Sequence, residues 1–316
     1  DPAMKKALAY LRSFDVDDIG TTYATSLHLM VMAAADPRGE RVRIARYAKW
    51  LVEAQNPRSG GWSYHTRIPT DDPSNSQFAL LALHEAERVG GTIPAVTWEK
   101  AHKYWTERQQ RSGAWSYNLS GLPTGSMTCA GIASLVITSR HTSLEAARVV
   151  DGQVQCCGKV PDANAIDRGL RWLGQAFSIQ RNPASSSYYM YYMYALERVG
   201  RMTGQRFIGQ HDWYRAGADH LLKIQDDLDG SWRTRGNPLT NTAFSMLFLS
   251  KGRRPVVISK MQYGAAGQTD WDKHRSGIHK LTRFVETRWQ QDLTWQTIDV
   301  QAARLEDLME TPVLFI

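Results

Sequence analysis

Cysteine is scarce: the chain has three in 316 residues, Cys129 and the adjacent pair Cys156-Cys157, too few and too clustered for a disulfide framework. Long apolar runs are missing as well. One of the cleanest, Phe78-Ala-Leu-Leu-Ala-Leu83, falls far below the ~20 residues of a membrane helix. No transmembrane segment is expected. The chain has no Gly-x-Gly-x-x-Gly, phosphate-loop or Gly-x-Ser-x-Gly pattern, which argues against nucleotide cradles and the usual hydrolase elbow. It also lacks Cys-x-x-Cys and His-Glu-x-x-His spacing. Cys156-Cys157 with His141 or His220 would be an irregular ligand set, because adjacent cysteines rarely hold one ion together. No metal and no other cofactor are expected.

Charge excludes little. Lysine and arginine number 38 against 31 acidic residues, a net +7, and the one dense basic cluster, Lys251-Gly-Arg-Arg254, reads as a solvated turn. No nucleic-acid motif accompanies it, so no nucleic-acid partner is expected. The chain opens on Asp1 rather than methionine and reads as processed or excerpted.

Helical periodicity fills most of the chain, and alternating β-branched runs are nearly absent. The spacing predicts helices over 3–13, 21–35, 40–55, 74–89, 96–110, 125–140, 163–180, 186–199, 211–225, 240–250 and 271–289, with a short one over 301–310. Eleven tryptophans and thirteen tyrosines are many for this length. Three of the tryptophans close a repeat. Gln55-Asn-Pro-Arg-Ser-Gly60-Gly-Trp62, Gln109-Gln-Arg-Ser-Gly113-Ala-Trp115 and Gln225-Asp-Asp-Leu-Asp-Gly230-Ser-Trp232 all read Gln, a short turn, Gly, any residue, Trp. Glycine permits a positive-φ turn at a helix C-terminus, glutamine can bond free backbone groups there, and the indole can cover the turn. Each segment leads to a new helix rich in small residues. One such hairpin cannot bury its apolar face alone, so several must pack side by side.

Gln-(three or four residues)-Gly-x-Trp resembles the repeat of squalene–hopene cyclases and their relatives, the α/α toroids that include protein prenyltransferase β subunits. The resemblance covers about residues 15–250. Three further segments, Tyr191-Tyr-Met-Tyr-Ala-Leu-Glu-Arg-Val-Gly200, His211-Asp-Trp-Tyr214 and Phe248-Leu-Ser-Lys-Gly-Arg-Arg-Pro255, are similar to uncharacterised planctomycete-type proteins with prenyltransferase/squalene-oxidase repeats. In those, an α/β domain of unknown function follows the toroid. The resemblance implies an all-α fold, a single (α/α)6-type toroid over 1–290, with 291–316 a tail leading into a truncated α/β domain. It also implies a lean towards the cell envelope, the periplasm or a membrane-peripheral site, so peripheral membrane contact is among the expectations.

Asp15-Val-Asp-Asp18 matches the Asp-x-Asp-Asp motif of class II terpene cyclases, which protonate an alkene with an unusually strong carboxylic acid. Crowded carboxylates raise the pKa of one member, since like charges resist joint ionisation. The resemblance maps the proton donor to Asp17, with Asp15 and Asp18 tuning it. The same residues are ordinary helix caps, and a helix N-terminus favours the ionised form. The chain departs from the family pattern in having no histidine in Ser74-Asn-Ser-Gln-Phe78, where Gln77 or Ser76 would have to assist, and in reading Ile19-Gly20 after the motif.

A cyclase also needs ring faces to stabilise migrating cations. Tyr23, Phe78, Tyr188, Tyr191 and Tyr192, with Gln77, are the candidate substrate-binding residues; the alternative for each ring is ordinary core packing. Two functions remain open: cyclisation of a hydrophobic isoprenoid, or a non-catalytic toroid binding a peptide, glycan or lipid. A third, sugar chemistry by Asp71-Asp72 or Asp226-Asp227, competes with plain polar turns.

Overall fold

The structure, a computed structural model, describes residues 1–66, 70–142, 148–150, 153–155, 163–250, 254–264, 270–272 and 277–316. Two compact units are present: Asp1–Gln110 with Trp115–Gly121 and Ser134–Ile166, and Arg111–Ala114 with Leu122–Ala133 and Asp167–Ile316.

The first unit holds α1 (Pro2–Arg12), α2 (Val16–Ile19), α3 (Thr22–Ala35), α4 (Arg41–Ala54), α5 (Pro73–Arg88), α6 (Ala95–Glu107) and the later turns of α7 (Gly125–Thr142). A short antiparallel pair follows, β1 (Arg148–Val150) and β2 (Gln153–Gln155). The helices are of two kinds. In α4 the buried residues are Ile44, Tyr47, Ala48 and Leu51, one stripe at i, i+3, i+4, i+7 with charged residues elsewhere. By contrast, α5 is buried at every position from Pro73 to Leu83. Its serines and alanines let neighbours approach from all sides, and α3 packs against both α4 and α5.

The repeat segments make the connections. In the first, Gln55 Nε2 donates to the Gly60 carbonyl at 2.9 Å and to that of Thr97, in α6, at 3.0 Å. The Trp62 Nε1–H donates to the Leu51 carbonyl at 2.7 Å. The second segment bonds Trp115 Nε1 to the Trp105 carbonyl at 2.9 Å and Gln109 Nε2 to that of Ala165 at 2.8 Å. The third bonds Trp232 Nε1 to Leu221 and Gln225 Nε2 to Gly230, both at 2.8 Å. Gly60, Gly113 and Gly230 all sit at positive φ, between 70° and 88°.

The second unit contains the start of α7, most of α8 (Ala163–Gln175), α9 (Tyr189–Thr203), the ribbon β3 (Phe207–Ile208) and β4 (His211–Asp212), α10 (Trp213–Lys223) and α11 (Pro238–Leu249). Here α10 buries Trp213, Gly217 and Leu221, again one stripe, while α9 buries most of its length. Beyond α11 come β5 (Val256–Gln262), a 3-10 turn at Asp270–Asp272, α12 (Gly277–Trp289), β6 (Thr294–Asp299), α13 (Leu305–Leu308) and β7 (Val313–Phe315).

The all-α expectation therefore needs correction at its C-terminal end. The described residues are mostly helical, but β6, β5 and β7 form a parallel sheet in that order, with α12 packed on it. Val256-Val-Ile-Ser-Lys-Met-Gln262 is a β-branched run whose centre, Ile258 to Lys260, is buried, which suits a central parallel strand. Of the helix predicted over 271–289 the described part is Gly277–Trp289, with Asp270–Asp272 a 3-10 turn and 273–276 outside the described residues, and that over 301–310 shortens to Leu305–Leu308. The outer side of β6 pairs with the segment after α9: Thr297 N–H donates to the Gly204 carbonyl and Arg206 N–H to that of Thr297.

Candidate functional site

Asp15 is the N-cap of α2, with extended backbone at φ −90°, ψ 163°. Its Oδ1 accepts from the Val16 N–H at 2.6 Å, and its own N–H donates to Asp18 Oδ2 at 3.1 Å. Asp15 and Asp18 thus form a reciprocal cap, and Gly20 at φ 56° ends the turn. Arg46 NH1 donates to Asp15 Oδ2 at 2.9 Å and its NH2 stands 4.0 Å from Asp17. The Asp17 side chain is 83% exposed. The Val16 N–H, and after it the Arg46 guanidinium, hold the Asp15 carboxyl below its ordinary value against an opposing effect of desolvation.

A different set of side chains converges beside this segment. The Thr22 hydroxyl donates to the Ser63 carbonyl at 2.5 Å and the Thr22 N–H to that of Tyr64 at 3.0 Å, pinning the start of α3 to the chain just past Trp62. Asp72, buried at the head of α5, accepts from Ser74 Oγ at 2.5 Å, from Asn75 N at 2.8 Å and from Asn75 Nδ2 at 3.0 Å. Its second oxygen accepts from the Tyr117 hydroxyl. Burial and this carboxylate push the Tyr117 phenol well above its ordinary value. Tyr23 packs against Phe78 at 4.9 Å between ring centroids and against Tyr64 at 5.9 Å. Phe78 is buried, whereas Tyr64 and Tyr117 are 48% and 43% exposed. Tyr23, Tyr64 and Phe78 therefore form one aromatic cluster, with Phe78 on the same helix that Asp72 caps.

Buried polar groups continue along the same helices. Gln77 and Asn75 of α5, and Thr25 and Ser26 of α3, are fully enclosed. Thr25 Oγ1, Ser26 Oγ and Asn75 Oδ1 have no hydrogen-bond partner among the described residues.

The remaining candidate rings lie in the second unit. Tyr188 is 76% exposed at φ 60°, the residue before α9. Tyr192 is buried, and that burial pushes its phenol well above the ordinary value. Tyr191 meets Phe244 edge-on at 6.4 Å. The sequence-predicted tyrosines thus divide: Tyr23 joins Phe78, while Tyr188, Tyr191 and Tyr192 belong to α9 and its approach.

Tyr64 and Tyr117, and the hydrogen bonds that gather on Asp72, were not singled out by the sequence. A signal was present. The first two repeats continue Trp62-Ser-Tyr64 and Trp115-Ser-Tyr117, so a tyrosine stands two residues past each tryptophan; the third continues Trp232-Arg-Thr234.

No group of three or more potential metal ligands occurs among the described residues, and Cys156-Cys157 lie outside them. His141 is stacked on Trp98 at 4.3 Å and lies 3.3 Å from Glu87, while His220 meets Tyr189 edge-on. Among the described residues no helix is long and apolar enough to cross a membrane.

No family model and no curated protein matches the chain. Among solved structures it is similar to a type II terpene cyclase, MstE from Scytonema in its apo form, at 13% identity over 76% of this chain and 91% of that one, with a TM-score of 0.37. At that level the likeness assigns neither a family nor an activity to this chain.

Proposed function

We propose that this chain is a ligand-binding module built of helical hairpins on an α/α-toroid plan, related through its Gln–Gly–Trp repeats to the squalene–hopene cyclase and prenyltransferase repeat proteins. Its binding face is the cluster of Tyr23, Tyr64, Phe78 and Tyr117 around Asp72. The occupant that suits the cluster is a glycan chain, because exposed ring faces stand next to fixed hydroxyl and carboxylate groups. The sheet of β5, β6 and β7 belongs, on this reading, to the start of the α/β domain expected after the hairpins.

The observation that carries the reading is the exposure of Asp17. A carboxylic acid that protonates an alkene must be held neutral by apolar enclosure or by like charge. Asp17 instead stands 83% exposed, 4.0 Å from the Arg46 guanidinium, and its neighbour Asp15 is shifted towards the ionised form. The test is calorimetric titration with a panel of oligosaccharides, with peptides and lipid vesicles as the other arms. Saturable glycan binding that Tyr64→Ala and Tyr117→Ala abolish is the expected result. Binding of none of the three classes, or binding indifferent to both substitutions, overturns the reading.

The second reading is class II cyclisation, with Asp17 as general acid, Asp15 and Asp18 tuning it, and Tyr23, Phe78, Gln77, Tyr188, Tyr191 and Tyr192 around the isoprenoid. The contact of Tyr23 with Phe78 favours it. Incubation with squalene and with linear prenyl diphosphates, followed by mass spectrometry, tests it. Cyclised product from the native chain and none from Asp17→Asn would replace the binding-module reading.

A further inference from the structure

The third repeat differs from the first two where it leaves its tryptophan. Trp62 and Trp115 are followed by Ser-Tyr-His and Ser-Tyr-Asn, whereas Trp232 is followed by Arg233-Thr-Arg235. Those three residues line a pocket of about 440 Å³ within the second unit, together with Arg181, Tyr189 and His220. That volume lies in the range of small-molecule sites, roughly 300–1,000 Å³.

The charge of this pocket is one-sided. Three arginines face a single lining carboxylate, Asp226, while burial favours the neutral form of His220. Arg233 is already matched, to Asp229 and, at 3.5 Å, to Asp226. Arg181 and Arg235 have no ion pair or side-chain hydrogen bond among the described residues. They come from separate segments, one ahead of α9 and one ahead of α11. Thr234 lines the same pocket, and its Oγ1 is buried and without a hydrogen-bond partner among the described residues. A hydroxyl enclosed in this way has lost water and gained nothing in return. Tyr189, whose hydroxyl donates to the Ile179 carbonyl at 2.6 Å, adds an apolar ring to the wall.

From this we propose that the pocket is an anion-binding site for the phosphoryl group of a small phosphorylated ligand, with Arg181 and Arg235 gripping its oxygens and the Thr234 hydroxyl completing the shell. Guanidinium forks match phosphate geometry and bond it in pairs, and the ring wall leaves room for the organic part of the ligand. The site lies apart in sequence from the tyrosine cluster, and its occupancy does not depend on what that cluster binds.

The probes are inorganic phosphate, a phosphate monoester, and vesicles of phosphatidylcholine with or without phosphatidic acid. Calorimetry is expected to show saturable phosphate binding with a Kd on the order of 1 mM, tighter for the monoester, and weaker as sodium chloride is raised. Arg181→Gln and Arg235→Gln should each weaken binding about tenfold or more, Arg235→Lys by less, and Arg171→Gln, outside the pocket, not at all. Because Arg181 and Arg235 are exposed, the variants should keep the native melting temperature, which checks that they fold. Monoester binding without vesicle recruitment identifies a soluble ligand; recruitment only by phosphatidic acid identifies a lipid headgroup. No saturable binding by the native chain, or equal binding by the pocket variants, overturns the proposal.

Discussion

The indole nitrogen of Trp62 lies 2.7 Å from the carbonyl oxygen of Leu51, four residues before the glutamine that opens the same repeat. The relationship recurs between Trp115 and Trp105, before Gln109, and between Trp232 and Leu221, before Gln225. Each tryptophan caps a carbonyl of the last turn of a helix in a buried place, though the Leu221 carbonyl also accepts from the Ile224 N–H at 3.3 Å. Trp62→Phe keeps a ring but leaves that carbonyl unsatisfied, so it should cost about 1–3 kcal/mol. Trp62→Ala adds a cavity and should cost about 3–5 kcal/mol. Urea unfolding of both variants checks the difference, which is the contribution of ring volume.

The three repeat glycines should tolerate alanine unequally. A Cβ on Gly60 would fall 2.3 Å from the Lys100 carbonyl oxygen, and one on Gly113 would fall 2.8 Å from Arg168. At Gly230 the nearest atom is Gln225 Nε2 at 3.5 Å, an ordinary contact. Gly230→Ala should therefore show only the left-handed backbone cost, about 1–2 kcal/mol, and Gly60→Ala distinctly more. Equal melting temperatures for the two would contradict this ordering.

Alkaline stability follows from the tyrosines. Burial pushes the Tyr104 phenol up to about 12, and it pushes those of Tyr117, Tyr189 and Tyr192 above their ordinary value. A raised folded-state pKa means that the protonated phenol is favoured by folding. Its contribution is complete below pH ~10 and is lost as pH rises through the folded value. Phenolate absorbance should accordingly lag behind that of free tyrosine, and stability should decline from about pH 10 upwards. A titration in which every tyrosine ionises near pH 10 with the fold intact would refute it.

At the acid end, Asp15 has the opposite sign. Its lowered pKa favours the folded state above the unfolded value of 3.8, and that contribution disappears as pH falls through the folded one. Carboxyl NMR titration should place the Asp15 midpoint below 3.8, and Arg46→Ala should move it upwards.

Arg206 joins three carboxylates: Asp212 at 2.9 Å, Asp307 at 3.3 Å and Glu310 at 2.5 Å. Its side chain is nearly buried, so Arg206→Ala leaves the enclosed Asp212 and Asp307 to Arg215 and Arg304 alone and should cost about 1.5–3 kcal/mol. Arg215, which reaches Asp307 and Glu310 from a more exposed position, should cost less when replaced. Chemical denaturation compares the two.

Periodicity and punctuation were enough to read most helices and all three turns, because both are local. A stripe such as Ile44, Tyr47, Ala48 and Leu51 can form only on a helix, and a Gly before a Trp marks a helix end wherever the chain stands in space. The Trp-Ser-Tyr continuation is equally local, but Tyr64 and Tyr117 drew notice only once the structure set them near Asp72 and Tyr23. The sheet was less so: Val256 pairs with Thr294 and Ile258 with Val313, and such parallel partners, distant along the chain, are chosen by the fold.

What the tertiary structure alone decided was direction. Asp17 belongs to a four-residue helix, where a shift of one position turns a side chain by about 100° and exchanges core for water. Sequence could name the carboxylates of Asp15 to Asp18, but only packing determined that Asp15 and Asp18 cap the turn while Asp17 faces solvent. In the same way composition could count the tyrosines. Which of them share a surface with Asp72 depended on how the chain past Trp62 was pinned to the start of α3, and on Tyr117 returning to the head of α5.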